Sequence, residues 1–215
     1  MTRLLSRLAT PFAVAALMAA APVAQAGVLF SDNFNADAGT SVLKFNAFVN
    51  WNVTGGSVRN TLHTVDYIRS ADFGIDCAGN FGGCVDLDGS TGKAGLMTTK
   101  DGFALLSGVT YLFSLDLSGN QRNAGTDQVT FGFEGYANRT VAVQGDAFNT
   151  FVLAFTPTAD MFAKLFIRDA GGNDNIGAIL DNVSLSNVAQ VPEPGTLALL
   201  GLGLAALGLR RRRAA

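Results

Sequence analysis

The chain has 215 residues, with 17 acidic against 15 basic side chains and a net charge of −2. Six of the bases sit at positions 3, 7 and 210–213, so residues 27–190 keep nine bases against 16 acids, a charge near −7 that repels nucleic acid and anionic lipid and suits cation binding or solubility. One histidine, His63, and two cysteines leave little for Ser-His-Asp or Cys-His catalysis and make a poor zinc site.

Arg3 and Arg7 precede an apolar stretch over residues 8–23, and Ala24-Gln25-Ala26 offers the small residues a signal peptidase needs. Residues 1–26 therefore read as a helical secretory signal peptide, cleaved before Gly27. Residues 27–190 follow as one domain, long enough for a substantial core and undivided by a Pro-rich or Ser-rich linker.

Within that domain, residues 28–30 read as a first strand and residues 31–39, rich in Asp, Asn and Gly, as a polar loop. Residues 42–53, with Phe45, Phe48 and the single tryptophan Trp51, favour extended structure, and residues 65–69 alternate as a strand. Export places Cys77 and Cys84 in an oxidising space, and the Gly-containing segment between them is short and flexible. A Cys77–Cys84 disulfide is expected, free or metal-bound thiols being the alternative.

Tyr111, Phe113, Leu115 and Leu117 recur at period two, the clearest half-buried strand in the chain. The pattern repeats at Val129, Phe131 and Phe133, at Phe151, Leu153 and Phe155, at Ala163, Leu165 and Ile167, and in a final strand over residues 178–185. Short strands bounded by turn residues, without a 3.6-residue period among them, predict an all-β, antiparallel β-sandwich of jelly-roll-like form.

After residue 190 the composition changes. Val191-Pro192-Glu193-Pro194 is a stiff, extended peptide, since each proline fixes φ and biases its predecessor towards extended geometry. Residues 197–209 form an apolar run that spans about 20 Å as a helix, short of the roughly 30 Å hydrocarbon core. Arg210, Arg211, Arg212 and Arg213 then hold that end on the cytoplasmic side. This tail resembles the PEP-CTERM sorting signal. The resemblance implies recognition by exosortase, a membrane-embedded, cysteine protease-like enzyme of Gram-negative bacteria that make extracellular polysaccharide. Pro192, Glu193 and Pro194 would be the recognition element, and residues 191–215 a sorting and anchor segment that holds the chain in the inner membrane transiently. The chain would then reside on the cell surface or in the extracellular matrix, as a biofilm component in contact with polysaccharide.

The domain resembles, on Val85-Asp86-Leu87-Asp88-Gly89-Ser90, Gly119-Asn120-Gln121-Arg122 and residues 175–185, the recurrent cargo domain of PEP-CTERM proteins, and more distantly galactose-binding-like jelly rolls and carbohydrate-binding modules. In many such jelly rolls an acid beginning the last strand binds structural calcium with residues near the first strand. Asp181 holds the matching place, with Asp32, Asn33 and Asp37 as partners; a backbone hydrogen bond from a neighbouring turn is the alternative role for Asp181. Asp86 and Asp88 read as a solvated strand edge, with a cation site as the other reading.

Glycoside hydrolysis needs two carboxylates, and Glu134 with Asp116 or Asp181 is the only pairing that suggests itself. No catalytic residue is assigned, and the chain is expected not to be an enzyme. Trp51, Tyr67, Tyr111 and Tyr136 offer flat faces to sugar rings or fill the core, and exposure of an aromatic pair on one sandwich face or beside the loops is what would favour a carbohydrate-binding module with a defined sugar site.

Overall fold

Strict alternation of apolar and polar side chains allows each strand to bury one face, and sheets with one apolar face each pack against one another. The computed structural model describes residues 27–54, 63–122, 125–171 and 174–188. The strands are β1 (Val28–Asp32), β2 (Val42–Phe45), β3 (Trp51–Thr54), β4 (Val65–Arg69), β5 (Gly83–Asp86), β6 (Leu96–Thr99), β7 (Phe103–Leu105), β8 (Tyr111–Ser118), β9 (Asp127–Phe133), β10 (Asn138–Val143), β11 (Asn149–Phe155), β12 (Met161–Ala163), β13 (Leu165–Asp169) and β14 (Ile179–Asn187). The expected signal peptide over residues 1–26, the motif residues Pro192, Glu193 and Pro194, and the apolar run at 197–209 lie outside the described residues, which contain no helix long and apolar enough to cross a membrane.

One sheet runs β11-β8-β14-β5-β4-β2, with β1 added against β14, and the second runs β10-β9-β13-β6-β3; β12 and β7 form a separate pair. Every one of these strand pairings is antiparallel. The core between the sheets follows the alternation: Phe113, Leu115 and Leu117 from β8 meet Phe131 and Phe133 from β9, with the Phe113 and Phe131 rings edge to face at 5.4 Å. The result is the expected jelly-roll-like sandwich. The strand expected over Ala163, Leu165 and Ile167 differs: Ala163 ends β12, whereas Leu165 and Ile167 belong to β13 in another sheet. Between them Lys164 turns its carbonyl to the Glu134 N–H at 2.8 Å.

Trp51, Tyr67 and Tyr111 are core residues. Trp51 is fully buried, lies edge to face with Phe30 at 5.7 Å, and donates its indole N–H to Asp32 Oδ2 at 2.9 Å. Tyr67 donates its hydroxyl to the Ala38 carbonyl.

Cys77 and Cys84 are joined in a disulfide. With Ile68, Ile75 and Ile179 they build a small apolar cluster, separate from the main core, under the segment that links β4 to β5. Because so few residues are closed into the loop, reduction is expected to cost only about 2–3 kcal/mol. Chemical denaturation with and without reductant checks this, and a loss of the whole folding transition on reduction would contradict it.

Candidate functional site

The outer face of the five-stranded sheet carries side chains from all five strands in two cross-strand rows. Register places Thr54, Leu96, Arg168, Thr130 and Thr140 in one row, and Asn52, Thr98, Phe166, Gly132 and Asn138 in the next. Gly132 leaves a gap between Phe166 and Asn138 because no side chain fits: a Cβ there would lie 2.1 Å from the Ala137 carbonyl oxygen of the β9–β10 turn. Glu134 and Gly135 of that turn close one end. The resulting cavity, about 420 Å³, is lined by Leu96, Thr130, Glu134, Asn138, Thr140, Phe166 and Arg168 among others. It joins an aromatic ring, a guanidinium, a carboxylate, an amide and two hydroxyls, the last two hydrogen-bonded to each other at 2.8 Å. Those groups supply donors, acceptors and an apolar surface to a hydroxyl-rich ligand. Phe166 and Arg168 carry the only sequence signal, their outward place in the alternation of β13.

A second cavity, about 410 Å³, lies between the β9–β10 turn and the β11–β12 loop, where Tyr136 joins Phe155, Pro157 and Met161. Of the four large aromatics weighed for sugar contact, Tyr136 alone is exposed.

The carboxylates weighed for glycoside hydrolysis are divided. Asp116 and Asp181 are direct cross-strand partners of β8 and β14, on the seven-stranded sheet, whereas Glu134 is on the turn of the other sheet. Asp116 accepts from the Thr150 hydroxyl and the Asn182 amide. A bulge at Asp181 and Asn182, with Asn182 at φ 46°, sets Asp181 under the disulfide loop, where it accepts from the Ala78 and Asn182 N–H groups. Asp181 therefore makes turn hydrogen bonds of the kind weighed above.

Of the other residues expected around calcium, Asp32 accepts from the Phe34 N–H, the Asn50 amide and the Trp51 indole. Asn33 accepts from the Asn35 N–H, and Asp37 Oδ1 from the Val49 N–H. Asp37 Oδ2 is buried without a hydrogen-bond partner. Burial raises the Asp37 pKa and nearby Asp32 adds to the rise. Burial likewise pushes Asp181 up to about 7, with Asp116 and then Asp32 adding to it. Asp32 thus stands within electrostatic reach of both other carboxylates. Among the described residues no group of three or more His, Cys, Asp or Glu is placed to hold a metal ion.

Asp86 and Asp88 are not a solvated edge: both are buried, and β5 ends at Asp86. Asp86 accepts from the Asp88 and Gly177 N–H groups and pairs with Arg122, while Asp88 Oδ2 accepts from the N–H groups of Asp174 and Asn175. Asp169 accepts from Gly171 and Ala178. Gly177 is required here, since a Cβ would meet the Asp88 nitrogen at 2.3 Å. These carboxylates staple the segment after β13 to the end of β5. Partners about 90 positions apart in the chain hid this from the sequence.

Burial pushes Asp86 up to about 7 against the lowering effect of Arg122, and Asp169 up to about 6 against its backbone donors. A folded-state pKa raised above the ordinary carboxylate value favours the folded state fully below about 4, and that contribution is lost as pH rises through 6 to 7. The melting temperature is therefore expected to be higher at pH 5 than at pH 8, and replacing Asp86 with Asn should flatten the profile. A scan showing greater stability at pH 8 would overturn this assignment.

Fold and surface together define an antiparallel sandwich with a polar groove across one sheet. Residues 190–213 match the PEP-CTERM protein-sorting motif. That match supports export of the chain, its sorting by exosortase and placement at the surface or outside the cell. No curated protein sequence matches the chain. Among solved structures it is similar to the CBM22-1 and GH10 modules of endo-1,4-β-D-xylanase 10B from Clostridium thermocellum, at 14% identity and TM-score 0.45, over 77% of this chain and 29% of that one. An arabinose-bound GH51 α-L-arabinofuranosidase gives 14% identity and TM-score 0.48 over 72% and 25%. The C-terminal CBM6 of the laminarinase LamC from Zobellia galactanivorans gives 10% and 0.38 over 68% and 99%. The chain thus spans less than a third of the xylanase and arabinofuranosidase chains.

Proposed function

We propose that this is a noncatalytic component of the extracellular polysaccharide matrix of a Gram-negative bacterium, released to the surface by exosortase, and that it contacts polysaccharide across the outer face of its five-stranded sheet. The observation that carries the reading is the groove between Phe166, Arg168, Asn138 and Glu134. Its single carboxylate supports binding over hydrolysis, which ordinarily takes two. Concentration of these groups in one place also favours a binding module with one defined sugar site, distinguished from a diffuse matrix contact by saturable binding of unit stoichiometry.

The exported protein is to be screened against a glycan array and assayed in parallel for hydrolysis. Saturable binding is expected, weakened about tenfold by Phe166→Ala, with no turnover. Turnover lost with Glu134→Gln, Asp116→Asn or Asp181→Asn would defeat the noncatalytic reading. Calcium at Asp181, Asp32, Asn33 and Asp37 belongs to the same proposal, supported by the orphaned Asp37 Oδ2 and the repulsion among these acids. Saturating calcium then raises the melting temperature by mass action, and Asp181→Asn removes the rise. An unchanged melting temperature would leave these groups to the hydrogen bonds described above.

A further inference from the structure

β14 ends at Asn187, and Pro192 of the sorting motif follows five positions later. Five residues span at most about 17 Å, whereas a domain of this size is about 40 Å across. When the motif enters a protease, the end of the sandwich from which β14 leaves is therefore brought against that enzyme. The hydrogen bonds define this end. Gly27 and Asn187 exchange two bonds, the Val188 N–H reaches the Thr110 carbonyl, the Gly108 N–H reaches the Pro157 carbonyl, and Thr110 and Thr156 join through their hydroxyls.

The surface so assembled carries exposed apolar side chains. Val28, Leu106, Tyr136 and Val188 are 72, 56, 57 and 41% exposed there. The Tyr136 cavity, with Phe155, Pro157 and Met161 in its walls, opens beside them. Asp160, which accepts from the Ser107 N–H, is the one charged residue in segments 27–28, 106–110, 156–160 and 186–188, and Glu134 is the one in the turn that carries Tyr136. Exposed apolar side chains gathered on one face mark a contact surface.

We infer that this end of the sandwich, centred on Leu106 and Tyr136, is a docking face for the membrane-embedded sorting protease. The inference rests on the sorting reading of residues 190–213. The short tether holds the face against the enzyme at high effective concentration, so that the enzyme reads the folded cargo as well as the Pro-Glu-Pro peptide.

The test follows release of the full chain in its native cells. Leu106→Glu and Tyr136→Glu should each slow release about tenfold, the cost of burying a charge at an apolar contact. Signal-peptide removal and melting temperature should stay at parental values, as should release of Leu43→Glu, altered on β2 away from this end. An insertion of about ten Gly and Ser residues after Gln190 should itself slow release of the parental chain and remove most of the further loss caused by either Glu variant, because the longer linker lowers the effective concentration of the face at the enzyme. Parental release rates for Leu106→Glu and Tyr136→Glu, or an insertion that leaves both parental release and the tenfold loss of the Glu variants unchanged, would overturn the docking face. Should Leu106→Glu lower the melting temperature, the more exposed Tyr136→Glu decides alone. Pro192→Ala with Pro194→Ala serves as the separate control: normal release of that variant would defeat the sorting reading itself.

Discussion

Alanine at both Pro192 and Pro194 is expected to leave the sandwich folded while reducing release of the chain from the membrane by about tenfold or more. Proline fixes φ and restricts the residue before it, so loss of both prolines adds conformational freedom that must be removed on binding. The sandwich does not depend on them, since its last strand ends at Asn187. Intact-mass measurement on protein from the cell surface, compared with the membrane fraction, reads the effect directly. Surface protein still carrying residues 210–213 would reduce the tail to an ordinary anchor.

The largest stability loss is expected at Trp51. Trp51→Ala removes a fully buried ring packed on Phe30 and Phe34 and leaves a cavity, at a cost of about 3–5 kcal/mol. It also strips Asp32 of its indole donor, one of three hydrogen bonds that hold this carboxylate. Trp51→Phe keeps most of the apolar contact and loses the N–H, which isolates the hydrogen bond at about 1–3 kcal/mol. Denaturant unfolding of the two Trp51 variants, alone and with Asp32→Ala, gives the coupling from a double-mutant cycle. No coupling would mean that Asp32 is held in place by other groups.

Legibility in the sequence tracked how far each feature depends on distant partners. β8 and β9 were readable because their inward residues are uniformly apolar at period two. β6 was not, since Met97 and Thr99 face inward while Leu96 and Thr98 line the outer face, reversing the simple pattern. Thr99 can afford its inward place because its hydroxyl accepts the Leu165 N–H. The disulfide followed from two cysteines and an export signal. The burial of Asp86 and Asp88 depends on donors at Asp174, Asn175 and Gly177, which nothing near β5 announces. The groove is an assembly of four strands and one turn, and single strands contribute only two residues each to the cross-strand rows.

The position of β14 has a consequence for timing. This strand is the last of the sandwich to emerge from the translocation channel, yet β8, β5 and β1 all pair with it. In a chain exported unfolded, the seven-stranded sheet stays open until residue 187 is across, and the fold is completed only as the sorting tail arrives. Non-local closure of this kind is slow relative to local pairing. The docking end, which the bonds of Asn187 and Val188 help to build, is complete only once β14 has paired, so recognition of the tail together with its cargo waits on a closed sheet.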